Sequence, residues 1–262
     1  MTEDYVTALL LIISGFGSGI TVGIASGTAG SFMIPCLTLL IGYSIHQAIG
    51  TSLVVDCVIG GVAGLIFLRS GNINLRSGVF LAGTGVIGAL IGSQFTSSAP
   101  EGGLTIFIAF FLIIIGLNFI VKGVQKNIEY IQQRLSFTWI KQHQTVSFLI
   151  IGFLVGGMSG FSGMGGGAII ALMFIFILGY NLHTAIGTAL LMMSFIAGSG
   201  AIGHLMNGEV IISAALIAGG AAAVGAGSGA LVANRINQDK LGRVIGVIIL
   251  VSGILILSNQ II

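Results

Sequence analysis

The sequence predicts an all-α polytopic membrane protein. It reads as about ten transmembrane segments, some short or broken, in two inverted five-segment repeats. Three observations predict this. The chain of 262 residues is 55% apolar and only 6% charged, with a mean hydropathy of +1.13, whereas a soluble domain carries about 25% charged residues. Its two halves match one another at an offset of 137 residues. All nine Lys and Arg residues fall on one side of the membrane once the apolar segments are alternated across it.

Apolar segments run over roughly residues 5–25, 30–42, 45–68, 77–95 and 104–121, and again over 146–163, 165–179, 182–205, 210–232 and 241–257. The expected organisation is a first transmembrane repeat over 1–121, a cytoplasmic connector over 122–144 and a second repeat over 145–262. The repeat is densest where Gly42-Tyr-Ser-Ile-His-Gln-Ala-Ile-Gly-Thr-Ser-Leu53 meets Gly179-Tyr-Asn-Leu-His-Thr-Ala-Ile-Gly-Thr-Ala-Leu190, which agree at 8 of 12 positions. The same offset relates Gly15 to Gly152, Gly19 to Gly156, Gly30 to Gly167, Gly71 to Gly208, Gly88 to Gly225, Gly92 to Gly229 and Gly116 to Gly253. Five segments per repeat is an odd number, so the second repeat enters the bilayer from the opposite face.

Charge sets the orientation. With the loop of Arg69 and Arg76 in the cytoplasm, Lys122, Lys126, Arg134, Lys141, Arg235, Lys240 and Arg243 also fall inside, and Glu101 and Glu209 fall outside. Both termini are then outside, in a cell (inner) membrane. Met1-Thr2-Glu3-Asp4 lacks the basic region of a signal peptide, so the first apolar segment is expected to be retained. The connector, with Ile128, Ile131, Leu135 and Trp139 near helical spacing, reads as an amphipathic helix on the cytoplasmic surface.

The second segment of each repeat is short: thirteen residues make a helix of about 20 Å, against a hydrocarbon core of about 30 Å. Ser26–Ser31 and Ser162–Gly167 therefore read as non-helical backbone at depth, which is tolerated only where protein buries it or a wet cavity lines it. The second break is the richer, with seven glycines from Gly156 to Gly167. Third segments start at caps, Ser44 with Gln47 in one half and Asn181 in the other.

Free N–H groups at a half-helix N-terminus favour an anion. The candidate substrate-binding residues are accordingly Ser26, Thr28, Gly30 and Ser31 in the first break, Ser162, Gly165, Gly166 and Gly167 in the second, and Thr51, Ser52 and Thr188 two turns into the third segments. The plainer readings are helix packing through glycine and hydroxyls bonded to the preceding turn. Asp56, the one acid inside an apolar segment, falls near the bilayer centre; its counterpart is Met193. It is the candidate for coupling to H⁺ or Na⁺, against a packing role in the protonated form. His204, near the outer end of its segment, is a candidate gate or proton acceptor; His46 and His183 read as interfacial or capping residues. Cys36 and Cys57 suggest neither a disulfide framework nor a metal site, and the absence of paired acids, a Ser/Lys dyad or an HxxxH motif argues against an enzyme. No cofactor is expected. The expected partners are a small anionic substrate and the lipid bilayer, with no nucleic acid.

Taken together the motifs resemble the TauE/SafE family of sulfite exporters, also called TSUP transporters. The carrying residues are Ser162-Gly-Met-Gly-Gly-Gly167, Ala48-Ile-Gly-Thr-Ser-Leu53 with Ala185-Ile-Gly-Thr-Ala-Leu190, the loop His204-Leu-Met-Asn-Gly208, and Pro35-Cys-Leu37 after the first break. Two features depart from the pattern: Thr28 and Ala29 stand where it prefers glycine, and it does not call for Asp56. The resemblance implies a secondary transporter moving sulfite, a sulfonate such as sulfoacetate, thiosulfate or a related organic anion by alternating access. The other reading of the residues is a cation or proton-coupled carrier or channel that uses Asp56.

Overall fold

Long apolar stretches punctuated by glycine give helices that can approach one another closely. The computed structural model describes residues 2–96, 142–176 and 178–235, with the isolated positions 113, 117, 247, 250, 251, 254, 257 and 258. Eight helices lie in its continuous stretches, with no strand among the described residues: α1 Thr2–Ala25, α2 Gly30–Pro35, α3 Ile45–Arg69, α4 Leu75–Thr96, α5 Gln144–Ser162, α6 Gly167–Phe176, α7 Leu182–Met206 and α8 Ile212–Ala233. Six of them (α1, α3, α4, α5, α7 and α8) are long and apolar enough to cross a membrane. The protein is thus a multi-pass membrane protein. The segments expected over 104–121 and 241–257, and residues 122–141 of the connector, lie outside the described residues apart from isolated positions.

The caps read from the sequence are present. Ser44 accepts from the Gln47 N–H while the Gln47 side chain accepts from the Ser44 N–H, and Asn181 accepts from the Thr184 N–H. Both short segments are shorter than expected. α2 has 6 residues and runs on as one π-helical turn, Cys36–Leu40; α6 has 10 residues. The breaks are correspondingly narrower, since Gly30, Ser31, Ser162 and Gly167 are helical.

α3 and α7 form the central pair. Wholly buried side chains such as Leu53, Ile59, Phe67, Ile186 and Leu190 lie along them. α1 packs along α8, and α4 along α5, on either side. Their outer faces expose Leu9, Ile13, Phe95, Leu154, Leu216 and Val224, the composition lipid demands.

The close packing rests on glycine, and it recurs at the offset of 137 with the partners exchanged. A Cβ at Gly15 would fall on the carbonyl of Ala218, and one at Gly152 on that of Leu81. Gly19 meets Ala222, and Gly156 meets Gly85; Gly88 meets Phe153, and Gly225 meets Phe16; Gly92 meets Gly157, and Gly229 meets Ile20. In each couple, adding 137 to one contact and subtracting it from its partner gives the other. The turns after α3 and α7 obey the same relation. Gly71 and Gly208 both have φ +73, the region only glycine enters cheaply. Asn72 and Glu209 then donate back to the carbonyls of Phe67 and His204 at 2.9 Å.

Substituting one of these contact glycines forces two backbones apart. Gly19→Val and its counterpart Gly156→Val are each expected to cost about 1–3 kcal/mol of stability. Gly17→Ala, two residues from Gly19, points into open space and is expected to be neutral or to stabilise α1 by up to about 1 kcal/mol. Apparent melting temperatures of the purified variants in detergent check this; equal losses at Gly17 and Gly19 would refute the packing account.

Candidate functional site

The first break is a tight reversal of four residues. Ser26 still donates to the Val22 carbonyl at 2.8 Å but takes φ +54, the one non-glycine positive φ among the described residues. The chain re-enters helix at Gly30, with Ala29 as its uncapped N-cap. The second break begins with Gly163 at φ +71, which donates to the Ser159 carbonyl and ends α5, and closes with Gly166 at φ +73. The first backbone hydrogen bond of α6 runs from Ile170 to Gly166. The amides of Gly167, Ala168 and Ile169 precede it and have no intrahelical acceptor.

The two breaks face each other. A Cβ at Gly30 would lie 2.9 Å from the Gly163 carbonyl, and one at Gly167 would lie 2.9 Å from that of Ser26 and 3.0 Å from that of Gly27. Thr28 and Gly165, themselves 137 apart, touch: the Gly165 N–H donates to the Thr28 hydroxyl at 3.3 Å.

Asp56, twelfth residue of α3, enters this junction wholly buried. Its Oδ1 accepts from the Ala29 N–H at 2.6 Å. Its Oδ2 accepts from the Thr28 hydroxyl at 2.8 Å and from the Gly165 N–H at 3.1 Å. Thr28 Oγ1 also accepts from the Gly30 N–H at 3.1 Å. One fixed N–H thus faces each carboxyl oxygen, an arrangement that would spread the charge of an ionised Asp56 over amides of both breaks. Met193, the counterpart of Asp56 on α7, lies against the same junction, 2.7 Å from a Cβ placed at Gly167.

Of the residues singled out by sequence, the structure gathers Ser26, Thr28, Gly30, Gly165, Gly167 and Asp56 here. Ser52 stands one turn away and donates to the Gly163 carbonyl at 3.1 Å and to that of Ile49 at 2.8 Å. Ser162 is tied to its own turn, donating to Met158 at 2.7 Å, and Ser31 lies in the first turn of α2. Gly166 faces Val155 and Ser159. The hydroxyls of Ser26 and Ser159 are buried without a partner among the described residues.

Thr51 and Thr188 sit elsewhere. Thr51 accepts from the Ile211 N–H at 3.0 Å, and Thr188 accepts from the Asn74 N–H at 2.9 Å. Each anchors the chain just beyond the turn that follows the other half's third segment, again with an offset of 137. His183 contacts the Ala233 carbonyl, at the last residue of α8, at 3.1 Å.

His204 is fully buried at the far end of α7. Its Nδ1 lies 2.6 Å from Glu209 Oε2, and its Nε2 lies 2.8 Å from the Gly160 carbonyl. Both partners are acceptors, so imidazole and carboxyl together hold two protons. The pair staples the end of α7 to α5, two residues before α5 ends. Sequence reasoning found His204 but missed Glu209, five residues on, because the turn between them brings the two side chains together. The counterparts of this pair are Phe67 and Asn72, so only one half carries it. No group of three His, Cys, Asp or Glu that could hold a metal occurs among the described residues, and both cysteines are free thiols.

Comparison with known proteins now has a site to bear on. A family model described as Sulfite exporter TauE/SafE matches residues 10–256. The chain belongs to this family. It is 29% identical over 208 residues to "Probable membrane transporter protein YdhB" of Bacillus subtilis, covering 77% of this chain and 80% of that protein. It is 24% identical to "Probable membrane transporter protein YunE" of the same organism and 29% identical to a "Probable membrane transporter protein" of Xylella fastidiosa, in each case over 94% of this chain and 95% of the relative. No solved structure matches this TauE/SafE chain significantly.

The junction makes a sharp mutational contrast. A Cβ at Gly165 would lie 2.8 Å from Asp56 Oδ2 and 3.0 Å from Met193 Cγ, whereas one at Gly27 meets only Val22 Cγ2 at 4.0 Å. Gly165→Ala is expected to destabilise the protein by about 1–3 kcal/mol, because it pushes a buried carboxylate off its donors. Gly27→Ala is expected to change stability by under about 0.5 kcal/mol. Thermal unfolding of the two variants side by side tests the placement of Asp56.

Proposed function

We propose that this protein is a secondary transporter, not an enzyme, that moves a small sulfur-containing or organic anion such as sulfite, a sulfonate or thiosulfate across the cell membrane. The observation that carries this reading is the meeting of two broken helices in the protein's centre, where the N-terminal amides of α6 stand without intrahelical acceptors. Family membership and relatives named as membrane transporters support the transport class; the family description names sulfite.

Alternating access fits the packing. A contact that recurs with its partners exchanged describes a half-turn: whatever carries the first half onto the second carries the second back onto the first. Residues that touch their own counterparts then lie on the axis. Thr28 with Gly165 is one such pair, and Cys57 with Ser194 is another, where the Ser194 hydroxyl donates to the Cys57 carbonyl at 2.9 Å. The axis so defined passes beside Asp56, midway along α3. Inverted five-segment repeats, with the Arg69–Arg76 turn inside and both termini outside, are the arrangement that this relation supports. Rocking the α1–α8 pair against the α4–α5 pair would expose the junction to either side in turn.

A second reading, a cation or proton-coupled carrier or channel using Asp56, draws on the buried carboxylate. Its three contacts are two N–H groups and a hydroxyl rather than the oxygen ligands a bare Na⁺ requires, which favours the anion reading.

Uptake of labelled sulfite, thiosulfate and sulfoacetate into proteoliposomes tests the proposal. Saturable uptake of at least one is expected. It is expected to be lost in Gly166→Val, since Gly166 has φ +73 and a Cβ there would lie 2.9 Å from Val155, while the protein still inserts. Flux that never saturates would point to a channel. Transport of a cation alone, lost in Asp56→Asn, would replace the anion reading.

A further inference from the structure

Three donors of this same junction already hold an anion, and it belongs to the protein. The Ala29 N–H lies 2.6 Å from one Asp56 oxygen, and the Gly165 N–H and Thr28 hydroxyl lie 3.1 and 2.8 Å from the other. These donors come from both breaks, and their shared acceptor comes from a third element, α3. Resting on the anion-transport reading, we infer that the Asp56 carboxylate is a tethered stand-in for the substrate. Ionised Asp56 and the transported anion are alternative occupants of one donor set, so each anion enters together with one proton, which Asp56 takes up.

The charge balance shows why. With Asp56 ionised and no substrate, the junction carries one negative charge, spread over amides and a hydroxyl. A monoanion added to that state would place two like charges in a buried site that holds no cation. A proton from solvent converts the carboxylate to a carboxyl, the amides are released to the incoming anion, and the junction again carries one negative charge. The Thr28 hydroxyl can then turn to accept from the carboxyl rather than donate to it.

The surroundings leave Asp56 as the group that responds. Thr28 and Ala29 bond to it from the first break and Gly165 from the second, and Met193 of α7 lies against the same junction; none of these titrates. Cys57, next to it on α3, is the one titratable neighbour among the described residues, and its Sγ lies 3.9 Å from Ser194 Oγ. His204 and Glu209 are at the far end of α7, eleven residues from Met193. The other half has Met193 at the matching position, so there is one carboxylate and hence one proton per anion.

Calorimetric titration of the purified full-length protein tests this, with the monoanion methanesulfonate as the probe for the charge balance and the dianions thiosulfate and sulfoacetate as further binding probes, each of constant charge between about pH 5.5 and pH 8.5. Repeating the titration in two buffers of different ionisation enthalpy counts protons. Wild type is expected to take up close to one proton per anion above the pH at which Asp56 ionises, with affinity falling toward tenfold per pH unit there. In Asp56→Asn the uptake is expected to vanish and the affinity to become flat with pH. Wild-type affinity independent of pH with no proton uptake overturns the inference while leaving the transporter reading intact, and it needs no variant to be folded. Uptake that persists unchanged in a folded Asp56→Asn also overturns it. No binding of any probe overturns the anion reading and this inference together.

Discussion

A helix broken inside a membrane leaves backbone donors with nothing to bond, and the rest of this structure follows from how that need is met. Water is not at hand there, and an amide without an acceptor costs several kcal/mol. For two of the amides, those of Ala29 and Gly165, the chain answers with one side chain. Asp56 reaches from α3 into the space between the breaks and accepts from Ala29, Thr28 and Gly165 at once. The carboxylate needs the breaks as much as they need it, since a buried charge persists only where donors surround it. This mutual requirement fixes where α3 lies relative to both short helices. It also makes the centre of the molecule responsive, because whatever alters the charge on Asp56 alters the bonding of both breaks.

Around that centre the packing is built from backbone rather than side chain. Lipid gives no hydrophobic drive between helices, so association depends on close contact. The glycine couples along α1 with α8, and α4 with α5, supply it by setting helix against bare carbonyl. Such seams have little slack, and they bind each outer pair into a rigid unit. The contacts across the middle add polar bonds to the glycine packing of α3 on α7: the Thr51 and Thr188 anchors, the Ser52 bond to Gly163 and the carboxylate cluster. Rigid flanks joined by a polar, breakable centre are what a rocking motion requires.

Much of this was legible in the sequence because it rests on local rules. The caps at Ser44 and Asn181, the shortness of the second segments and the two glycine breaks follow from capping chemistry, helix length and glycine density, and each is present. The contact glycines were visible as a repeat, but their partners were not, since a sequence offset does not say which helix meets which. Thr51 and Thr188 were read as lining a cavity or bonding to their own turn. Thr188 does donate to Thr184 at 2.6 Å, yet both also hold the turn of the opposite half, a long-range contact that no local rule predicts. Asp56 was recognised as anomalous, but its partners, 27, 28 and 109 residues away, could come only from the fold. Residues 122–141 lie outside the described residues, so the amphipathic connector stands as an expectation.

The departures from the repeat are informative in their own right. A duplicated scaffold needs only residues that serve both halves, and the glycine couples, caps and Thr anchors all do. Asp56 opposite Met193, and His204 with Glu209 opposite Phe67 with Asn72, do not. Among the described residues, Asp56 and His204 are the buried carboxyl and imidazole groups, each without a like counterpart in the other half, and burial makes each costly unless its partners are fixed. Both are fixed to the second break: Asp56 through the Gly165 amide, and His204 through the Gly160 carbonyl on the last turns of α5. The Gly-rich break is therefore held by a carboxyl group on one side and an imidazole on the other, while the first break bonds to the Asp56 carboxyl alone of these two. The asymmetry locates the chemistry that the symmetric frame does not need for its own stability.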